Sequence, residues 1–218
     1  LWAARLFIEK YGHDIRWCDT LGGWQLWDGT RWVRDEMLKI KEMARCVVQQ
    51  MHDQANASDD KSLRKFATGR EGVRKMSDMI ELSKSEPAIP TAALQFDRDT
   101  HIVNCPNVTL DLLSCRERQH SREDLITRCC EIAYHPEAKA PRWLQFLDEV
   151  FESNRALIDY VQRAAGYSLT GDVSEHCLFV LYGVGRNGKS TLLKHIAAIM
   201  GDYSACAPAR PLVEKRDG

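Results

Sequence analysis

The sequence has no Cys-x-x-Cys pair among its 8 cysteines, no surplus of charge, no long apolar run, no internal repeat and no low-complexity tract. Each absence excludes something. Cys129 and Cys130 are adjacent, which suits neither a disulfide framework nor zinc, so the expectation is reduced thiols packed as small apolar residues. A metal set of Cys105, Cys115 and His120 is the alternative, at a spacing that matches no standard zinc framework. The other histidines, His13, His52, His101, His135, His176 and His195, form no metal or triad pattern. Lys plus Arg is 30 against 31 for Asp plus Glu, a net charge of −1. Any nucleic-acid surface must therefore be a local patch or lie outside these residues. Nothing approaches a membrane span, and Leu1-Trp2-Ala3-Ala4-Arg5 lacks a signal-peptide plan. A cytoplasmic protein with no membrane partner is expected. Its 218 residues suffice for one large domain or two small ones.

The most informative stretch is Gly183-Val184-Gly185-Arg186-Asn187-Gly188-Lys189-Ser190, an unbroken match to the phosphate-loop pattern G-x-x-x-x-G-K-[ST]. A triphosphate needs inward-turned backbone N–H groups around its β-phosphate, and Gly183, Gly185 and Gly188 permit the close approach and dihedrals of such a nest. Lys189 would sit over the β- and γ-phosphates as a point charge. Ser190 would ligate Mg²⁺, and the following helix would add the positive end of its dipole. The context agrees: Cys177-Leu178-Phe179-Val180-Leu181-Tyr182 reads as a buried parallel strand, and Leu192, Leu193, Ile196, Ile199 and Met200 recur at helical spacing before Gly201.

Upstream, Ala3, Leu6, Phe7 and Tyr11 mark a short helix stopped at Gly12. A small antiparallel sheet is expected from Ile15 to Cys18, Trp24 to Trp27 and Thr30 to Arg34, with Gly22-Gly23 and a two-residue Asp28-Gly29 hairpin between them. Its tryptophans, Trp17, Trp24, Trp27 and Trp32, are read as core in preference to base-stacking platforms. An amphipathic helix from Asp35 to about Asn56 carries the stripe Ile40, Met43, Ala44, Val47, Val48 and Met51. A second helical stretch from Ser58 to Lys84, broken at Gly69, carries Lys61, Arg64, Lys65, Arg70, Arg74 and Lys75. A solvated face is the favoured reading of these cations, with a DNA backbone as the alternative. After the connection Glu86 to Pro90, strands are expected at Leu94 to Phe96, His101 to Asn104 and Thr109 to Leu113. From Pro136 the pattern is helical, with Trp143, Phe146, Leu147, Val150 and Phe151 on one face and Leu157, Ile158, Val161 and Ala165 on another. A turn from Gly166 to Gly171 then leads to the strand before the loop.

Trp143-Leu144-Gln145-Phe146-Leu147, Tyr160-Val161-Gln162-Arg163, Gly166-Tyr167-Ser168-Leu169-Thr170-Gly171 and the loop ending Asn187-Gly188-Lys189-Ser190-Thr191 together resemble the phage- and plasmid-encoded primase-helicases. Relatives of that group include the poxvirus-type helicase-primases. The amino-terminal Trp24-x-x-Trp27-Asp28-Gly29-x-x-Trp32 resembles the start of the domain preceding the helicase in the same proteins. The resemblance implies an α+β chain. Residues 1–136 would form a mostly helical amino-terminal domain with small antiparallel sheets, residues 137–172 a helical collar, and residues 173–218 the start of a superfamily 3 AAA+ helicase domain. It also implies an ATP-driven homo-hexamer on single-stranded DNA. ATP and Mg²⁺ would be held by Gly183, Val184, Gly185, Arg186, Asn187, Gly188, Lys189, Ser190 and Thr191, with Lys189 catalytic and Ser190 the metal ligand.

The resemblance has departures. Where the family usually has Asn-Gly this chain has Asn107-Val108, and where it has a Thr-Gly-like turn this chain has Ser114-Cys115, so both turns are expected to be remodelled. The acidic metal-binding strand, sensor, DNA-contacting hairpin and trans-acting arginine should follow the loop helix. Neither Asp202 nor Asp217 has the apolar strand before it that would replace the acidic strand. The 218 residues alone are therefore expected to be monomeric and without turnover. The alternative is a non-catalytic DNA-docking or oligomerisation module with a vestigial loop. A small-molecule kinase is disfavoured, because its lid and acceptor site would have to follow the loop.

Overall fold

The computed structural model describes residues 2–58, 61–69 and 72–207. Arg70 and Asp217 lie outside the described residues. The chain is α+β and divides into two compact units, Leu1–Arg98 with Ser121–Thr127, and Asp99–His120 with Arg128–Gly218. No described helix is long and apolar enough to cross a membrane.

The first unit opens with α1 (Trp2–Tyr11), followed by an antiparallel sheet of β1 (Ile15–Cys18), β2 (Gly23–Trp27) and β3 (Trp32–Arg34) in the order β1-β2-β3. Alternation explains the sheet. The register pairs Ile15 with Leu26 and Trp17 with Trp24 on one face, and Trp27 with Trp32 on the other. The first face packs against α1 and the long helix α2 (Lys39–Ser58) through Phe7, Ala44, Val47 and Met51. The second face is closed by Cys18, Trp32 and Phe96, with Leu125 laid against them. The tryptophans thus serve the core: Trp24 and Trp32 are buried, and Trp17 and Trp27 are half-buried. The β2–β3 loop is longer than the two residues Asp28-Gly29. The Asp28 carboxylate accepts from the Thr30 and Arg31 amides at 2.7 and 2.9 Å, closing a four-residue turn before Trp32.

The start of α2 also differs from the sequence reading. Leu38 has a φ of 57°, so helical backbone begins only at Lys39, while the Asp35 carboxylate accepts from the Lys39 and Ile40 amides at 2.9 and 3.0 Å. Two shorter helices follow, α3 (Lys61–Thr68) and α4 (Val73–Ser83), with the break at Gly69 as expected. The connection after α4 is structural: Ile89 is buried, and residues 89–91 run beside β1 through hydrogen bonds from Trp17 N to Ile89 O and from Thr91 N to Trp17 O. Leu94 to Phe96 is not a strand. Ala93–Gln95 forms a single 3₁₀ turn, which seats Phe96 on the second face of the sheet.

The second unit holds another small antiparallel sheet, β4 (Ile102–Asn104), β5 (Thr109–Asp111) and β6 (Arg116–Arg118). The turn at Ser114-Cys115 keeps the left-handed backbone that favours glycine, with Cys115 at a φ of 54°. The Asp111 carboxylate holds it by accepting from the Ser114 hydroxyl at 2.7 Å and from the Leu113 and Ser114 amides, and the Ser114 hydroxyl keeps that carboxyl below its ordinary value. Beneath the sheet, Val103, Cys105 and Cys130 form a small core with Tyr134 and Tyr203 around it.

No disulfide joins any of the eight cysteines, and no group of three potential ligands that could hold a metal occurs among the described residues. Cys105 and Cys130 hydrogen-bond to one another. This pushes the Cys130 thiol up, burial adding to the effect, and holds Cys105 below its ordinary value. Ellman's reagent should therefore react quickly with the exposed Cys46, Cys115, Cys177 and Cys206, and reach Cys18, Cys105 and Cys130 only on unfolding. Immediate reaction of all eight in the native chain would contradict this packing.

Three helices complete the second unit: α5 (Pro141–Val150), α6 (Arg155–Leu169) and α7 (Lys189–Met200). Pro141 occupies the first turn of α5, where its missing N–H costs nothing, and the Asn154 side chain caps α6 by accepting from Leu157 N at 3.2 Å. Gly166 lies inside α6 rather than in a turn.

Candidate functional site

The loop from Gly183 to Gly188 meets the first turn of α7, and the reasons are local. Gly188 has a φ of +80° and directly precedes the helix. A Cβ on it would come within 2.6 Å of Val150 Cγ2 and 3.3 Å of the Phe146 ring, so the loop lies against α5 too closely for any side chain there. Gly183, with a φ of +143°, would set a Cβ against the Asn187 amide group. Gly185 differs, since nothing lies within 4 Å of where its Cβ would be. Packing within the described residues therefore does not require glycine there. Gly188→Ala is expected to cost about 1–2 kcal/mol from the left-handed backbone alone and to displace Val150. Urea denaturation of the variant within a few tenths of a kcal/mol of the parent would refute that packing argument.

Lys189 decides the electrostatics. Its Nζ turns back over the loop and donates to Asn187 Oδ1 at 2.6 Å, Gly183 O at 3.1 Å and Val184 O at 3.4 Å. These acceptors are neutral oxygens, and no carboxylate pairs with the ammonium among the described residues. Around it, the first amides of α7 have no intrahelical acceptor, and Gly188 has no side chain to cap them. The loop therefore gathers an uncompensated cation and the positive end of a helix at one exposed place. Ser190 and Thr191 open the helix with exposed side chains, while Val184 and Arg186 are exposed on the loop, Arg186 at a φ of 65°.

The helix is fixed at both ends. Leu192 packs with Leu147 and Ile158, and Trp143, Phe146, Phe151, Val161 and Ile196 surround them. At the far end the Asp202 carboxylate accepts from Cys129 N at 3.1 Å, and Tyr203 Oη accepts from Asn104 N and donates to Arg128 O. Asp202 is thus committed to structure. Sequence reasoning marked the apolar stripe of α5 but missed its role as the bed of the loop; the signal was the stripe itself, which had no assigned partner.

The expected strand before the loop is the main correction. Residues 177–182 form no strand, and all six are exposed, Leu178 at 76% and Tyr182 at 91%. A parallel strand is made by its neighbours' hydrogen bonds, and none runs beside this segment among the described residues. The Asp172 carboxyl just upstream is held below its ordinary value by hydrogen bonds from the Ser174 amide and hydroxyl.

Comparison with known proteins adds identity to this geometry. Residues 4–152 match the family described as D5 N terminal like, which takes in the first unit's helices and sheet and runs through α5. The chain belongs to that family. It is also 21% identical to a protein of Acanthamoeba polyphaga mimivirus named "Putative helicase", over 98% of this chain and 25% of that protein. The chain therefore spans about a quarter of the length of the curated relative it matches. As a D5 N terminal like chain similar to a viral protein of that name, it is a helicase-primase-related amino-terminal region. The match to the family ends before the loop, whose chemistry rests on its own residues.

Proposed function

We propose that Gly183 to Thr191 bind the phosphates of ATP with Mg²⁺, and that the chain is part of an ATP-dependent DNA helicase of phage, prophage or plasmid type acting in DNA replication. The observation that carries this reading is the Lys189 ammonium, turned onto three neutral oxygens of a glycine-rich loop at a helix start, with no carboxylate paired to it among the described residues. The residues fit the group. Lys189 would meet the β- and γ-phosphates in place of its carbonyl partners, and the exposed Ser190 would offer its hydroxyl to Mg²⁺. When bound, the nucleotide supplies the phosphoanhydride whose cleavage drives movement on DNA. In this reading residues 1–136 are the linker domain, 137–172 a collar, and 173–218 the opening of a superfamily 3 AAA+ domain that assembles into a homo-hexamer on single-stranded DNA.

The unpaired segment 177–182 favours a second reading, in which the chain is a non-catalytic docking or oligomerisation module and the loop is vestigial. Titrating the chain with a fluorescent ATP analogue and Mg²⁺ separates the two. Saturable binding displaced by ATP supports the nucleotide site, and its absence in a chain of native helicity selects the module.

A further inference from the structure

Asparagine occurs five times, as Asn56, Asn104, Asn107, Asn154 and Asn187, and only Asn187 is followed by glycine. That pair is chemically exposed. The backbone nitrogen of the residue after an asparagine can attack the side-chain amide carbon, and a Cβ on that residue hinders the approach, so glycine leaves it open. The other four precede Ala57, Cys105, Val108 and Arg155, and structure holds each of them. Asn56 lies inside α2, Asn104 is buried, Asn107 bonds Tyr134 through both ends of its amide, and Asn154 caps α6. Asn187 sits on the loop, half-buried, and its Oδ1 accepts from Lys189 Nζ at 2.6 Å. An ammonium on that oxygen draws electrons from the carbonyl carbon and stabilises the negative charge that grows on the oxygen under attack. The Gly188 amide donates to no acceptor among the described residues. Nor can the fold replace this glycine, because a Cβ there would come within 2.6 Å of Val150 Cγ2.

We propose that Asn187 is a site of spontaneous deamidation, assisted by Lys189, and that its product closes the loop to anions. Gly188 N loses its proton and bonds to Asn187 Cγ, the Cγ–Nδ2 bond breaks, and Nδ2 leaves as ammonia with that proton. A five-membered imide remains. Water then adds to one of its two carbonyl carbons and breaks that carbon's bond to the imide nitrogen, giving either an aspartyl chain or an isoaspartyl chain whose backbone is longer by one carbon. Nothing is oxidised or reduced. The aspartyl product puts a carboxylate where Oδ1 now meets Nζ, so Lys189 gains the anionic partner it lacks among the described residues. The isoaspartyl product lengthens a loop whose path is set by the positive φ of Gly183 and Gly188. In both, the ammonium is no longer free to meet a phosphate. That consequence rests on the nucleotide reading, whereas the covalent step does not. Because the step does not reverse, the share of loops able to take an anion falls with the age of the chain.

The test ages the folded 218-residue chain in mildly alkaline buffer and follows its proteolytic peptides by mass spectrometry. The peptide carrying Asn187 should show the amide-to-acid mass change well before those carrying the other four asparagines. Conversion of Asn187 no faster than theirs overturns the proposal. In Lys189→Ala, with native helicity confirmed by circular dichroism, conversion should slow severalfold, since the ammonium no longer polarises the amide. An unchanged rate overturns the part given to Lys189. Asn187→Asp, which fixes one product in place, should weaken binding of Mg²⁺ and a fluorescent ATP analogue by at least about tenfold, through pairing with Lys189 and repulsion of the phosphates. The aged parent should lose binding sites in proportion to its converted fraction. Binding as tight in Asn187→Asp as in the fresh parent overturns the closure. Absence of binding by the fresh parent instead removes the nucleotide reading, and the mass change decides the modification without it.

Discussion

Lys189→Ala is expected to weaken binding of Mg²⁺ and a fluorescent ATP analogue to this chain by about tenfold to a hundredfold, the range for removing a charge-assisted hydrogen bond. On the proposed reading, ATP turnover should fall by a further factor of at least about a hundred, because the charge on the transferring phosphoryl group grows in the transition state. The reasoning starts from the resting geometry. Nζ already spans Asn187 Oδ1, Gly183 O and Val184 O, so the ammonium is held over the loop before any ligand arrives and little ordering cost remains. Alanine removes the charge and also leaves those three acceptors without their donor. Loop geometry could then change by itself, so a second variant is needed. Lys189→Arg keeps the charge but replaces a compact point donor with a planar fork too wide for the same three oxygens. Arginine should recover part of the affinity and little of the turnover. Affinity and turnover equal to the parent in the folded Lys189→Ala protein would remove Lys189 from the site.

How much of this was legible in the sequence depended on whether a pattern carried its own partner. The first sheet was legible because its partners are contiguous. Alternating Trp24, Leu26 and Trp32 and the glycine turns confine pairing to neighbouring segments, and the register follows. The stripe on α2 was legible for the same reason, with Ile40, Ala44, Val47, Val48 and Met51 all buried. Patterns that borrow their structure misled or hid. β6, Arg116–Arg118, is three exposed polar residues that form a strand only through pairing with β5. Leu94 to Phe96 has strand-forming residues, but the chain uses them in a 3₁₀ turn that delivers Phe96 to Trp32. Residues 177–182 are rich in strand formers, and with no strand beside them among the described residues that propensity produces no strand. The candidate site was spelled out by its own residues, because a glycine-rich loop before a helix is local chemistry. What supports it from below, Phe146 and Val150 under Gly188, is packing between distant segments that no local rule reaches.

Trp32→Ala should produce the largest loss of stability of any single substitution in the first unit, about 3–5 kcal/mol, the usual range for emptying a buried aromatic site. Trp32 is 1% exposed, and its ring is enclosed by Trp27, by Phe96 and by the Arg16 guanidinium 4.8 Å from the ring centroid. Burial of that guanidinium also holds Arg16 below its ordinary value, so it depends on the ring that covers it. The indole is a tie as well as a filler. Nε1 donates to Arg122 O at 2.9 Å, and the Trp32 amide donates to Ile126 O at 2.8 Å, which joins the distant segment Ser121–Thr127 to β3. Alanine therefore opens a cavity and also deprives the Arg122 carbonyl of its donor, a penalty of about 1–3 kcal/mol where no water can enter. Trp32→Phe separates the two effects: it keeps most of the volume, loses only the donor, and should cost roughly a third to a half as much. Trp2→Ala, at an exposed position, should stay within about 0.5–1 kcal/mol of the parent. Urea denaturation followed by far-ultraviolet circular dichroism measures all three. A Trp32→Ala midpoint no lower than that of Trp2→Ala would mean that the second face of this sheet contributes nothing to holding the unit together.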